Sequence, residues 1–295
     1  MKNDANILLS SKLIKKISTI DIIKGYKEVF DIDVSRYFDG IDSVSMYENK
    51  ESGYKFFYPF NIAGDGKFYE KLQPYDWYYR ADKWEFNSAR KIITSGKLLE
   101  IGCGKGDFLL SLEEKVDLEK IGVEHNLEAI KYCQSKNLNV DCYDLTLLSS
   151  NEFDFVVSFQ VLEHLWDIEE FFNNSIRLLK SGGKLFIGVP NTDSFIFSPF
   201  SNNYYKNGSL LLNLPPHHMG WWNKKSIEKI GKKYGLKLID LQVEPIQEFR
   251  SQHIAENIGV YFKSPIFGKL IGKFFGRKYH HFLQGETILA VFVKQ

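Results

Sequence analysis

The stretch LLEIGCGKGDFLL places glycines at 102, 104 and 106, with an acid, Glu100, just upstream. Residues without a Cβ let a backbone turn sharply and come close to a ligand. The spacing G-x-G-x-G differs from the G-x-G-x-x-G of dinucleotide sites, where a helix N-terminus faces a pyrophosphate. A carboxylate at position 100 would repel a pyrophosphate. It suits a cationic ligand, such as one carrying an ammonium and a sulfonium. Two further acids end the strands that follow. Glu124 can accept hydrogen bonds from ribose hydroxyls, and Asp144 can accept from an adenine amino group.

A second group could move a proton. NLPPHHMGWW, residues 213–222, carries His217 and His218 between stiffening prolines and two tryptophans, Trp221 and Trp222, that can wall off water. A neutral histidine is the common base near pH 7. In an extended backbone the two rings would point differently, so one would face a site and the other would pack. A third group, QVLEHL at 160–165, offers Glu163 and His164, read as hydrogen-bonding loops at the sheet edge. Gln160 stands where a further acid would be needed to complete a divalent-metal cluster with this pair, no other grouping looks like a metal site, and no metal is expected.

Positioning these residues requires strands that end where the acids stand. KLLEI, KIGVEH, LNVDCYD, FDFVVSFQ and GKLFIGVPN read as strands, and GDFLLSLEEK, NLEAIKYCQSK and DIEEFFNNSIRLLKSGG as intervening helices. Asn126 and Asp167 are expected N-caps, and Gly182 a stop. The helix NKKSIEKIGKKYG and the strands LKLIDLQVEP and ETILAVFVKQ follow. Such alternation implies a parallel sheet with right-handed crossovers. The expected fold is therefore α/β, a doubly wound, Rossmann-like domain over residues 74–295. Residues 1–73, dense in aromatics and turn formers, are expected to form a small cap. Within that cap Leu8 to Ile23 reads as a helix, and beyond it, in the 74–295 domain, Trp77, Ala81, Trp84, Ser88 and Ile92 step as another.

Taken together, LLEIGCGKGDFL, IGVEHN, YDL at 143–145, FDFVVSFQVLEHL and LLKSGGKLFIGVPN resemble the class I S-adenosylmethionine-dependent methyltransferases. The motifs fall in that family's order and spacing over about residues 95–295. The resemblance implies a seven-stranded sheet whose last strand is antiparallel, with S-adenosylmethionine as cofactor. It implies cofactor roles for Glu100, Gly102, Cys103 and Gly104, and for Glu124, His125, Asp144 and Leu145. Phe159 and Gln160 would border the same ligand. A PPHH loop followed by an aromatic recurs in a branch acting on small or carrier-bound metabolites, which makes His217 and His218 the catalytic candidates. Aromatic segments like the one here precede the fold in that branch. They point to Tyr78, Tyr79 and Lys83, with Trp221 and Trp222, as acceptor-binding residues. A hydroxyl or amine of a sugar in surface-polysaccharide or secondary metabolism is the expected class of acceptor.

Composition narrows the alternatives. The 295 residues are 44% hydrophobic and 25% charged, as in an ordinary globular protein. A formal net charge of +1 and the lack of an Asn/Asp-Pro-Pro-Tyr type tetrapeptide argue against a nucleic-acid substrate. An odd number of cysteines, Cys103, Cys133 and Cys142, without metal-like spacing suggests reduced thiols and a cytoplasmic protein. Residues 257–285 hold several cations and large apolar residues, and read as an insertion, a lid or a peripheral membrane contact. Exposed aromatics in the cap would suit a homodimer. Two rival functions stay open: a nicotinamide-dependent oxidoreductase or epimerase, which the glycine spacing and Glu100 disfavour, and a non-catalytic module that keeps the fold.

Overall fold

The computed structural model describes residues 4–75, 78, 81–194, 211–245, 264, 266, 270 and 284–295. In chain order it begins with α1 (Asp4–Leu9), β1 (Ser11–Ser18), α2 (Thr19–Phe30), β2 (Ser43–Asn49), β3 (Lys55–Tyr58) and α3 (Gly66–Leu72). The alternating part holds α4 (Trp84–Arg90), β4 (Gly96–Ile101), α5 (Asp107–Leu110), β5 (Leu118–Val123), α6 (Leu127–Ser135) and β6 (Val140–Asp141). It continues through β7 (Phe153–Phe159), α7 (Ile168–Leu178) and β8 (Leu179–Pro190). After these come β9 (Gly220–Trp221), a helix at Lys224–Lys233, β10 (Leu236–Val243) and β11 (Thr287–Lys294).

Seven strands form one sheet in the order β10-β11-β8-β7-β4-β5-β6. β4 pairs in parallel with β5 and with β7, β5 with β6, and β7 with β8. The last strand, β11, is antiparallel, as expected. Strand order therefore reverses at β4, since its successor β5 lies on one side and β7 on the other. In open α/β sheets the crevice beyond the carboxyl ends at such a point is where ligands bind. Strands covered on both faces must be apolar throughout. Leu98, Val157, Phe186 and Val291 fill one continuous core, each contributing roughly 1.5–3 kcal/mol by full burial.

Helix starts follow their caps. The Asn126 carboxamide accepts from the Glu128 and Ala129 amides, and Asp167 accepts from the Glu170 amide at 3.0 Å. Three elements differ from expectation. Residues 11–18 form a strand, because their backbone groups pair with β2 from Ser11↔Asn49 to Ser18↔Ser43; the helix starts only at Thr19. The segment after the glycine loop is helical only over Asp107–Leu110 and then turns. α7 ends at Leu178, and Leu179 already pairs with Phe153 as the first residue of β8. The helix expected from Trp77 is observed over Trp84–Arg90, and Trp77 lies outside the described residues.

A second, antiparallel sheet has the order β1-β2-β3-β9. Its last strand comes from far along the chain, with Lys55↔Trp221 and Phe56↔Gly220. The chain accordingly divides into two compact units. One comprises Met1–Ala63, Pro190–Lys224 and Val243–Ile288; the other comprises Gly64–Val189, Lys225–Gln242 and Leu289–Gln295. The stretch with His217 and His218, expected in the C-terminal domain, thus shares a unit with the N-terminal segment. Most of 257–285 lies outside the described residues. Among the described residues, no helix is long and apolar enough to cross a membrane.

Candidate functional site

The glycine loop leaves the carboxyl end of β4 and is laced to its neighbour. The amides of Gly102 and Cys103 both donate to the Val123 carbonyl at the end of β5, at 2.8 and 3.1 Å. Gly102 has φ +74°, and a Cβ there would lie 2.5 Å from Val161 Cγ2. Glycine is therefore required at 102 by both conformation and contact. Glu124, just past β5, closes the loop from the other side. Its Oε2 accepts from the Gly104 amide at 2.8 Å, and its Oε1 from the His125 and Asn126 amides at 2.8 and 2.9 Å. A carboxylate has about four acceptor positions. One remains on Oε2, which fits a ribose hydroxyl and leaves less room for two than the sequence suggested. Cys103 is buried under the loop, and the Cys133 thiol donates to the Gly104 carbonyl at 3.4 Å.

Glu100, the acid upstream, points into the interior. It is 2% exposed, and its Oε2 has no hydrogen-bond partner among the described residues. Burial pushes its carboxyl well above the usual carboxylate range; Lys83 opposes that shift, and Asp107 and Glu124 add to it. A buried oxygen left unpartnered costs the desolvation of the group, so this position fits a ligand that brings a cation or a donor.

Asp144 caps the short 3-10 turn Leu145–Leu147. The Thr146 hydroxyl and amide donate to its Oδ1 at 2.7 and 2.8 Å and hold its carboxyl below the usual range. The side chain is exposed three residues beyond the end of β6, open to an outside donor. Sequence reasoning missed what fixes this turn. Arg177, on α7, donates to the Leu145 carbonyl and, at 2.7 Å, to the Leu148 carbonyl. His125 is exposed, with Nδ1 3.1 Å from Cys142 Sγ.

Phe159 does not line an opening. It is buried edge-to-face against Phe86 and Phe108, with centroids 5.2 and 4.8 Å away. Gln160 follows in the left-handed region, with φ +57°, and donates through Nε2 to Glu85 Oε1 at 3.1 Å. Glu85 is 3% exposed and Glu163 1%, two buried acids that nothing in the sequence pattern marks as interior. Burial pushes the Glu163 carboxyl up to about 8, with Glu85 adding and Lys83 opposing. His164 Nε2 lies 4.0 Å from Glu163 Oε1, and its ring meets Tyr69 edge-on. Lys83, expected at an acceptor pocket, precedes α4 with its ammonium 5.3 Å over the Phe86 ring. Tyr78 is half-buried and its amide donates to the Tyr75 carbonyl; Tyr79 lies outside the described residues.

In the other unit His217 and His218 are both buried. Their backbone is turned, not extended: both amides donate to the Leu214 carbonyl. The rings consequently stack, 4.5 Å apart at 17°, instead of pointing apart as expected. His217 Nδ1 lies 2.8 Å from the Leu212 carbonyl, and His218 Nδ1 3.0 Å from Asn213 Oδ1. Oxygen acceptors at Nδ1 put the proton there and leave Nε2 basic in the neutral rings. The N-terminal segment straps this turn in place. The Tyr26 hydroxyl reaches the Leu211 and Leu214 carbonyls at 3.4 and 3.3 Å, and the Phe57 amide donates to Met219. Trp221 stands edge-on to Phe57, its indole N–H donating to the Asn213 carbonyl, and Trp222 packs 4.2 Å from Tyr54. Both tryptophans are buried packing residues within this unit.

Comparison with known proteins agrees with this geometry. The family described as "Methyltransferase domain" matches residues 72–241. A Mycobacterium tuberculosis protein named a probable S-adenosylmethionine-dependent methyltransferase is 29% identical over 124 residues, 41% of this chain and 45% of its own. A ubiquinone biosynthesis O-methyltransferase of Pelagibacter ubique is 30% identical over 131 residues, 41% of this chain and 54% of its own. The chain thus spans about half the length of these curated relatives. The crystal structure of a SAM-dependent methyltransferase from Archaeoglobus fulgidus has the same fold, with a TM-score of 0.54 and 21% identity, over 77% of this chain and 100% of that one. With its glycine loop at the switch point, its acids at the strand ends and a family match over more than half its length, the chain belongs to the class I S-adenosylmethionine-dependent methyltransferases.

Proposed function

We propose that this protein transfers a methyl group from S-adenosylmethionine to a hydroxyl or amine of a small or carrier-linked metabolite. The observation that carries the reading is the buried, unpartnered Glu100 oxygen beneath a glycine loop clamped by Glu124. The bound cofactor would supply the methyl on a sulfonium. Glu100, Gly102, Gly104 and Glu124 would hold it, and Asp144 would receive the adenine amino group. The protein's remaining task is to align the acceptor, exclude water and, for a hydroxyl, take a proton. His217 and His218, with Nε2 left basic, are the groups proposed for that step. A sugar is the class of acceptor we favour. The Pelagibacter relative, a ubiquinone biosynthesis O-methyltransferase by name, makes a ubiquinone precursor the second class to test.

The deciding experiment follows thermal unfolding with S-adenosylmethionine, S-adenosylhomocysteine and NAD. A ligand at a hundred times its Kd adds about 2.7 kcal/mol to the native state. Stabilisation by the S-adenosyl ligands alone is expected. Stabilisation by NAD alone would overturn the reading in favour of an oxidoreductase. Incubating labelled S-adenosylmethionine with nucleotide sugars, catechols and amines then assigns the acceptor by mass.

A further inference from the structure

Two carboxylates within one unit are buried beyond anything the fold requires. Glu100 is the penultimate residue of β4, and Glu163 follows β7, its parallel neighbour, with Glu100 in register with Val157. Both chains therefore leave the sheet at the same edge. The turn after β7 folds back onto the glycine loop, since Val161 Cγ2 occupies the space a Cβ on Gly102 would need. Glu100 and Glu163 each have an Oε2 with no hydrogen-bond partner among the described residues. The same cation, Lys83, acts on both. Facing Glu163 are also the buried Glu85, which accepts from Gln160, and His164, 4.0 Å away. Asp107 and Glu124 act on Glu100 through their charges.

Resting on the placement of the cofactor at the glycine loop, we infer that Glu163, together with Glu100, reads positive charge on the ligand's sulfur. S-adenosylmethionine and S-adenosylhomocysteine differ there by one methyl and one positive charge. The site would hold the methyl donor more tightly than the demethylated product and so favour product release. Attraction between opposite charges stabilises the ionised acid. The donor should then drive a proton off Glu163 as it binds near pH 7, and the neutral thioether should not.

The test is calorimetric titration of the full chain with each ligand, in wild type and Glu163→Gln. The ratio of the two Kd values should shift against S-adenosylmethionine by about tenfold, or about 1.4 kcal/mol, while S-adenosylhomocysteine binding stays unchanged. Wild type measured in buffers of different ionisation heat should release more protons with the donor than with the product, a readout that needs no variant. An unchanged ratio in folded Glu163→Gln, or equal proton release with both ligands, overturns the inference. If Glu124→Ala abolishes both ligands while Glu163→Gln leaves the ratio alone, the cofactor seat stands and only the charge reading falls. If wild type binds neither ligand, seat and inference fall together.

Discussion

The glycine loop and the histidine turn are both tight, but they are held by opposite means. The loop is fixed by backbone amides and one carboxylate from the next strand: Val123 takes two amides and Glu124 three. Its partners lie within one strand–helix–strand unit. The turn at Leu214–His218 and the residues just after it, Met219 and Trp222, are held by side chains and edges from the start of the chain, namely Tyr26, Phe57 and Tyr54. A motif whose restraints are local can be carried intact through a family. A motif whose restraints are distant must be rebuilt with its support. The difference suits a division of labour in which the cofactor is common and the acceptor varies.

The largest effect should fall on the turn. If either histidine takes the acceptor's proton, replacing it with alanine should lower the methyl-transfer rate by about 10²–10⁴ and leave S-adenosylhomocysteine binding intact. Initial rates with the assigned acceptor check this; normal rates in both variants would make the turn purely structural. Next comes the loop. Glu124→Ala frees three amides at once and should weaken S-adenosylhomocysteine binding by at least about a hundredfold, or about 2.7 kcal/mol, measured by calorimetry.

A smaller effect concerns pH. Unfolded Glu163 ionises near 4.5, whereas folded Glu163 keeps its proton up to about 8. The native state therefore binds more protons between those values, and stability falls as pH rises through that window. Glu163→Gln should flatten the fall, read as denaturation midpoints from pH 4 to 8. Smallest should be Tyr26→Phe, which removes the hydroxyl from the Leu211 and Leu214 carbonyls. It should cost about 1 kcal/mol and lower the thermal midpoint while sparing cofactor affinity.

The strands of the large sheet were legible because burial on both faces makes them continuously apolar, as in FDFVVSF. Asn126 and Asp167 were legible as caps because capping is a short-range hydrogen bond. The small sheet was not. SKLIKKIS lacks a clean two-residue alternation, and its strand state comes from pairing with β2. Nor could two-residue β9 be read from Gly220 and Trp221, because its partner is β3. At the candidate site the glycines and strand-end acids could be named in advance. The burial of Glu85 and Glu163, the Arg177 latch and the stacking of the two histidines could not, since each depends on which distant segments meet.

The pairing of β3 with β9 also has a consequence for synthesis. A chain emerging from the ribosome presents β1, β2 and β3 early, but Gly220 and Trp221 arrive only after the whole of β4–β8 has been made. Until then the outer edge of β3, with Phe56 and Tyr58, has no strand beside it, and an open aromatic edge is a template for wrong pairings. Such late, non-local closure is slow. Nascent chains stalled before residue 220 should be the aggregation-prone species, with the finished protein protected by two residues that close the edge.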